Sequence, residues 1–190
     1  EALGWSKGKQ DIRYKNLIKN IPSSIKTIVD VGCGLGDGIE IIDDQFDQVE
    51  YIGIDIVEDF TNFCRNKYPR KKFFNIDFKN LELDFKVDAV LASGIFNFNT
   101  GFNLKEINIF LEFCKINKVR YVAFDVLSTN TTHRFDSNYY CAIEDLLPLI
   151  NSYTRRFVLD HSSQPFEYSI FCDFNDAYEP STSRYKNEIS

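Results

Sequence analysis

The sequence contains no methionine, one tryptophan and two histidines, and none of its five cysteines forms a C-x-x-C pair. With no methionine, Glu1 is not expected to be the biological start. No run of about 18 or more apolar residues occurs, so no membrane-spanning helix is predicted. The opening Glu1–Lys7 lacks the apolar core of a signal peptide, which predicts a cytoplasmic protein. Cys33, Cys64, Cys114, Cys141 and Cys172 are odd in number and widely spaced, which fits neither a zinc site nor a disulfide framework. They read as free thiols, most of them small core hydrophobes. Basic charge is also scarce: a net charge of −6 argues against a general nucleic-acid binder, which needs a basic surface for phosphates. Lys7, Lys9, Arg13 and Lys15 still crowd the N-terminus, while Arg120, Arg134, Arg155 and Arg156 are scattered.

What is present is a core-forming chain, 190 residues long with 44% hydrophobic and 15% aromatic residues. Strands are expected at Thr27–Val31, Tyr51–Ile56, Lys72–Ile76, Val87–Ala92 and Arg120–Val126. Helical stripes lie between and after them: Ile39, Ile42 and Phe46; Phe60, Phe63, Cys64 and Lys67; Leu104, Ile107, Leu111 and Cys114; Ile143, Leu146, Leu147 and Ile150. Asn103 and Glu106 stand at capping-box spacing before the third stripe. Alternating strands and helices imply crossovers and a parallel sheet covered on both faces. Arg156–Asp160 and Phe166–Phe174 are joined too closely for a crossover and must pair antiparallel.

The predicted fold is therefore α/β, a Rossmann-like three-layer sandwich around a seven-stranded, mostly parallel sheet with an antiparallel C-terminal strand. Residues 1–174 read as a single domain, with 1–22 as a helical cap (Tyr14, Leu17, Ile18, Ile21, then Pro22), and 175–190 as a polar tail.

The chemistry concentrates at Ile28-Val29-Asp30-Val31-Gly32-Cys33-Gly34-Leu35-Gly36-Asp37-Gly38, where an apolar strand runs into a helix. Glycines there let backbone turn sharply and approach a ligand. Open α/β sheets bind ligands at this edge. A dinucleotide fingerprint would place its third glycine three residues after its second. That position is Asp37 or Ile39, depending on the starting glycine. Asp37 would also repel a pyrophosphate drawn to the helix N-terminus. No Gly-Lys-Ser/Thr follows, so a P-loop is excluded. The loop suits a ligand without phosphates. Asp55, near the end of Gly53-Ile54-Asp55-Ile56, can accept both hydroxyls of a ribose; as an alternative or an addition, it can cap the following helix. Asp77 can take an adenine amino proton while Phe78 covers a ring face.

Together with the run Val87-Asp88-Ala89-Val90-Leu91-Ala92-Ser93-Gly94-Ile95-Phe96-Asn97-Phe98, these motifs resemble the class I methyltransferases over residues 27 to about 126. The resemblance implies S-adenosyl-L-methionine as cofactor and S-adenosyl-L-homocysteine as product. It implies cofactor contacts at Gly32, Gly34, Asp55, Ile56, Asp77 and Phe78, and at the backbone of Ser93 and Gly94 beneath the methionine part. Asp30 is expected under the loop, orienting it. The N-terminal Gly4–Arg13 segment is similar to one that closes over the cofactor in small bacterial members. There Arg13 would clamp the methionine carboxylate and Trp5 would shield the sulfonium; an amphipathic helix with solvated bases is the alternative.

On the acceptor side, the resemblance points to Phe96 and Asn97 after the fourth strand. That stretch has no proline, unlike enzymes that methylate exocyclic amines of nucleic-acid bases, and the acidic balance also favours a small-molecule acceptor. His133 is a candidate base and Arg134 a candidate anion contact. Tyr139 and Tyr140 are acceptor wall or core, and His161 is expected toward the opposite end of the sheet. No metal or membrane partner is expected. The implied activity is O- or N-methylation of a small molecule, with a capsule or surface-glycan precursor or a phosphoramidate suggested by the resemblance alone. The alternatives are a nicotinamide-dependent oxidoreductase and a non-catalytic S-adenosylmethionine-binding protein.

Overall fold

The computed structural model describes residues 9–175. The chain runs α1 (Lys9–Ile18), β1 (Thr27–Val31), α2 (Ile39–Gln45), β2 (Glu50–Asp55), α3 (Glu58–Lys67), β3 (Lys72–Asn75) and a 3-10 turn (Phe78–Asn80). It continues through β4 (Ala89–Ala92), α4 (Asn103–Ile116), β5 (Tyr121–Leu127), α5 (Ile143–Asn151), β6 (Phe157–Asp160) and β7 (Glu167–Asp173). The strands form one sheet in the order β3-β2-β1-β4-β5-β7-β6. Neighbours from β3 to β5 are parallel, and β7 is antiparallel to both β5 and β6. This is the predicted architecture, with most strand ends shifted by one or two residues.

Burial explains the order. Every residue of β1, β4 and β5 is buried, as expected for central strands covered on both faces. One face packs Val29, Val31, Ile52 and Phe124 against Ile107, Phe110 and Leu111 of α4 and Leu146 and Ile150 of α5. The other packs Ile28, Tyr51 and Leu91 against Leu17 and Ile18 of α1, Ile39 and Ile42 of α2 and Cys64 of α3. All five cysteines are free and buried. No helix among the described residues is long and apolar enough to cross a membrane.

Three local expectations fail. Phe63 does not join the α3 core stripe: it is 46% exposed, and Thr61 and Cys64 are the buried residues instead. Asn103 does not cap α4. It is the first helical residue, and its Oδ1 accepts from Thr100 N at 3.1 Å while its Nδ2 donates to Phe98 O at 2.6 Å and Phe96 O at 3.1 Å. It therefore pins the loop after β4. His161 does not lie toward the opposite end. Because β7 runs backwards, with Glu167 paired to Leu127, the β6–β7 turn comes back to the carboxyl edge of the sheet. Trp5 and nearly all of the predicted tail lie outside the described residues.

Candidate functional site

At the carboxyl edge of the sheet lies a cleft of about 1260 Å³. Pockets for one drug-sized ligand usually hold roughly 300–1,000 Å³, so this cleft is larger than one such ligand requires. One half is built by the loops after β1, β2 and β3, the other by the loops after β4 and β5.

In the first half, the chain leaving β1 is held against β2. Gly32 N and Cys33 N donate to Ile54 O at 2.8 and 3.1 Å. Gly32 has φ +73, and a Cβ there would come within 2.2 Å of Ile95 Cγ2, so only glycine fits. Asp55, at the tip of β2, accepts from Gly34 N through Oδ2 and from Val57 N through Oδ1, both at 2.9 Å. It thus fixes the glycine loop and opens α3 at once. Ile56 is exposed and lines the cleft. Asp77 accepts from Lys79 N at 3.0 Å and caps the 3-10 turn. Phe78 packs edge-on against Phe110 and Phe113 with part of its ring on the cleft.

Asp30 differs from expectation. It is fully buried, does not line the cleft and makes no side-chain hydrogen bond to the loop. Its Oδ2 accepts from Tyr14 OH at 3.0 Å and Tyr51 OH at 2.7 Å, while Oδ1 has no partner among the described residues. It ties α1 to β2. Its influence on the loop passes through Tyr14, whose ring fills the space beside Gly38. Burial pushes the Asp30 carboxyl up to about 7, against the two tyrosine hydrogen bonds that lower it.

Beneath the middle of the cleft, Ser93 Oγ donates to Asp125 Oδ2 at 2.9 Å and Gly94 N to Oδ1 at 2.7 Å. Arg13 is buried, not solvated, and pairs bidentately with Glu167 through Nε, at 3.1 Å, and Nη2. Burial, with the nearby charge of Asp125, pushes Glu167 up to about 8, against the opposing effect of Arg13. Sequence reasoning misses Asp125 and Glu167. The available signal is an acid set among the apolar residues of each strand, since a buried carboxylate needs partners.

In the second half, the two loops are laced together: Tyr139 N donates to Asn97 O at 2.9 Å and Asn99 N to Ser137 O at 2.9 Å. Phe96 and Asn97 are buried and line the cleft. His133 is exposed on its lining, with Nδ1 3.0 Å from Thr132 Oγ1. Arg134 does not line it; its guanidinium bonds Thr129 O and lies over the Tyr140 ring. Tyr139 also does not line it and packs against the core, whereas Tyr140 does line it. His161 packs on Tyr168 with ring centroids 4.6 Å apart.

Residues 29–115 match a family described as a methyltransferase domain. A putative methyltransferase 235L of Invertebrate iridescent virus 6 is 30% identical over 84 residues, which cover 44% of this chain and 32% of that protein. The chain thus spans about a third of the curated relative it matches. A SAM-dependent methyltransferase from Archaeoglobus fulgidus superposes with TM-score 0.67 at 16% identity, covering 91% of this chain and 96% of that one. A magnesium protoporphyrin IX methyltransferase from Synechocystis PCC 6803 with bound SAM gives 0.61 at 14% identity, covering 86% and 77%.

Proposed function

We propose that the chain is a class I S-adenosylmethionine-dependent methyltransferase that transfers the cofactor's methyl group to an oxygen or nitrogen of a small-molecule acceptor. The observation that carries this reading is Asp55. Its carboxylate locks the glycine loop through Gly34 N and lines the same cleft as Asp77 and Phe78. The donor set fits the cofactor: Asp55 for the ribose hydroxyls, Asp77 for the adenine amino group, Phe78 and Ile56 for the ring. Gly32, Gly34, Ser93 and Gly94 offer backbone without bulk, and Arg13 offers a cation for the amino-acid carboxylate.

When bound, the cofactor supplies a methyl group on a sulfonium, an electrophile open to in-line attack. The protein's own task is to align the acceptor and exclude water, which contributes up to about 7–11 kcal/mol in favourable cases. His133, with an imidazole on the cleft wall, takes a proton only where the acceptor must lose one.

The acceptor half favours an uncharged molecule over a phosphoramidate. Its lining includes Asn130, Thr131, Thr132, His133 and one acid, Glu106, and among the described residues neither lysine nor arginine. Arg134, the expected anion contact, is engaged elsewhere. A structural neighbour named for methylating magnesium protoporphyrin IX supports a small-molecule acceptor in general terms. A capsule or glycan precursor has no support beyond the sequence resemblance.

Thermal denaturation with S-adenosyl-L-homocysteine and with NAD tests the cofactor. A ligand at 100 times its Kd adds about 2.7 kcal/mol of stability. S-adenosyl-L-homocysteine is expected to raise Tm; a rise with NAD alone overturns the reading.

A further inference from the structure

One polar side chain in the loop after β4 is left unanswered by the fold. Asn97 is 4% exposed, and neither Nδ2 nor Oδ1 makes a hydrogen bond among the described residues. An unpaired buried polar group destabilises the fold, so packing alone gives no reason for a carboxamide here. Its backbone is fixed, with N donating to Gly94 O at 3.3 Å and O accepting from Tyr139 N at 2.9 Å. The residue lines the cleft.

Its neighbours define what it can bind. A Cβ on Gly94 would stand 3.8 Å from Asn97 Nδ2 and 3.2 Å from Arg13 Nη1. Gly94 lacks that atom and has φ +74, so two N–H donors border one gap over bare backbone. Glu167 grips Arg13 by Nε and Nη2, which sets the guanidinium plane relative to this gap.

We propose that Asn97 binds the α-amino-acid end of the cofactor, forming with Arg13 a cradle over Gly94, and is not an acceptor contact. This rests on the cofactor reading given above. A carboxylate offers acceptors to Asn97 Nδ2 and Arg13 Nη1 together, and the adjacent ammonium offers a donor to Asn97 Oδ1. A zwitterionic head therefore satisfies both orphaned atoms at once.

Asn97→Leu keeps the approximate shape and removes both polar atoms. Its Tm without ligand, and its affinity for S-adenosyl-L-homocysteine and for 5′-methylthioadenosine, which lacks the amino-acid end, should be measured beside the wild type. The expected result is at least a tenfold loss for S-adenosyl-L-homocysteine, an unchanged affinity for 5′-methylthioadenosine, and a ligand-free Tm equal to or above wild type. Unchanged S-adenosyl-L-homocysteine affinity overturns the proposal. So does an equal loss for both ligands, which marks a structural role. Asn97→Ala carries the same affinity comparison if the leucine variant does not fold. Wild-type protein that binds neither ligand overturns the cofactor reading itself, a result distinct from failure of the cradle alone.

Discussion

The two halves of the cleft are held by different means. The loops after β1 to β3 are fastened to the sheet itself, through Ile54 O and the Asp55 carboxylate. The loops after β4 and β5 meet the sheet at their ends, through Asp125 and Leu127 O, but between those points they are fastened to each other and by Asn103, and they present Phe98 and Phe135 at 70% and 68% exposure. A half built on strand tips holds one ligand shape. A half built loop on loop can change its side chains without disturbing the sheet. The proposed cofactor side is thus fixed by the fold, and the acceptor side by sequence local to two loops.

The sharpest way to break this contrast is Asp55→Ala. It leaves Gly34 N and Val57 N without their acceptor and removes the proposed ribose contact. The Tm shift with S-adenosyl-L-homocysteine should vanish, and urea unfolding should show a loss of about 1–3 kcal/mol. A retained ligand shift would separate the loop anchor from ribose binding.

A second test uses pH. Asp30 and Glu167 are raised from 3.8 and 4.5 to about 7 and about 8. Across that window the folded protein holds more protons than the unfolded chain, so stability falls as pH rises. Ligand-free Tm should decline from about pH 5 to about pH 8, and Asp30→Asn should flatten the decline. An unchanged slope in that variant would remove Asp30 as a source.

On the acceptor side, His133→Ala should lower methyl transfer at least tenfold for an acceptor that must lose a proton. Its affinity for S-adenosyl-L-homocysteine should not change. Labelled cofactor with a panel of neutral acceptors measures this, and undiminished turnover eliminates the base. The smallest effect is expected for Phe135→Ser, whose ring is already exposed. Its stability should stay within the range of other surface changes, about ±0.5 kcal/mol, while acceptor KM rises. A large fall in Tm would show that the loop pair is structural.

The fold is legible in the sequence because parallel strands buried on both faces leave continuous apolar runs, and the close link before Phe166 permits only an antiparallel return. Most of the lining of the first half is legible too, because its glycines and strand-tip acids sit at fixed spacings along one stretch of chain. Arg13 stands out as a residue, but its partner does not: Glu167 lies 154 positions away, and no local pattern relates them. Asp30 bonds to tyrosines of α1 and β2, a tertiary fact that its position before the glycine loop does not reveal. Arg134 and Tyr139 turn away from the cleft, and loop composition does not say which way a side chain turns.

The Arg13–Glu167 pair has a consequence for biosynthesis. Translation at about 5–20 residues per second places on the order of ten seconds between the emergence of its two halves. During that interval the residues of the glycine loop and of the first three strand tips have been made, but Arg13 has no Glu167, and β5 has no β7 to cover its apolar edge. On the proposed cofactor reading, the surface assigned to adenosine forms before the end assigned to the amino acid, and full affinity arrives with the last strand. Protection of the sheet edge from other chains arrives with it.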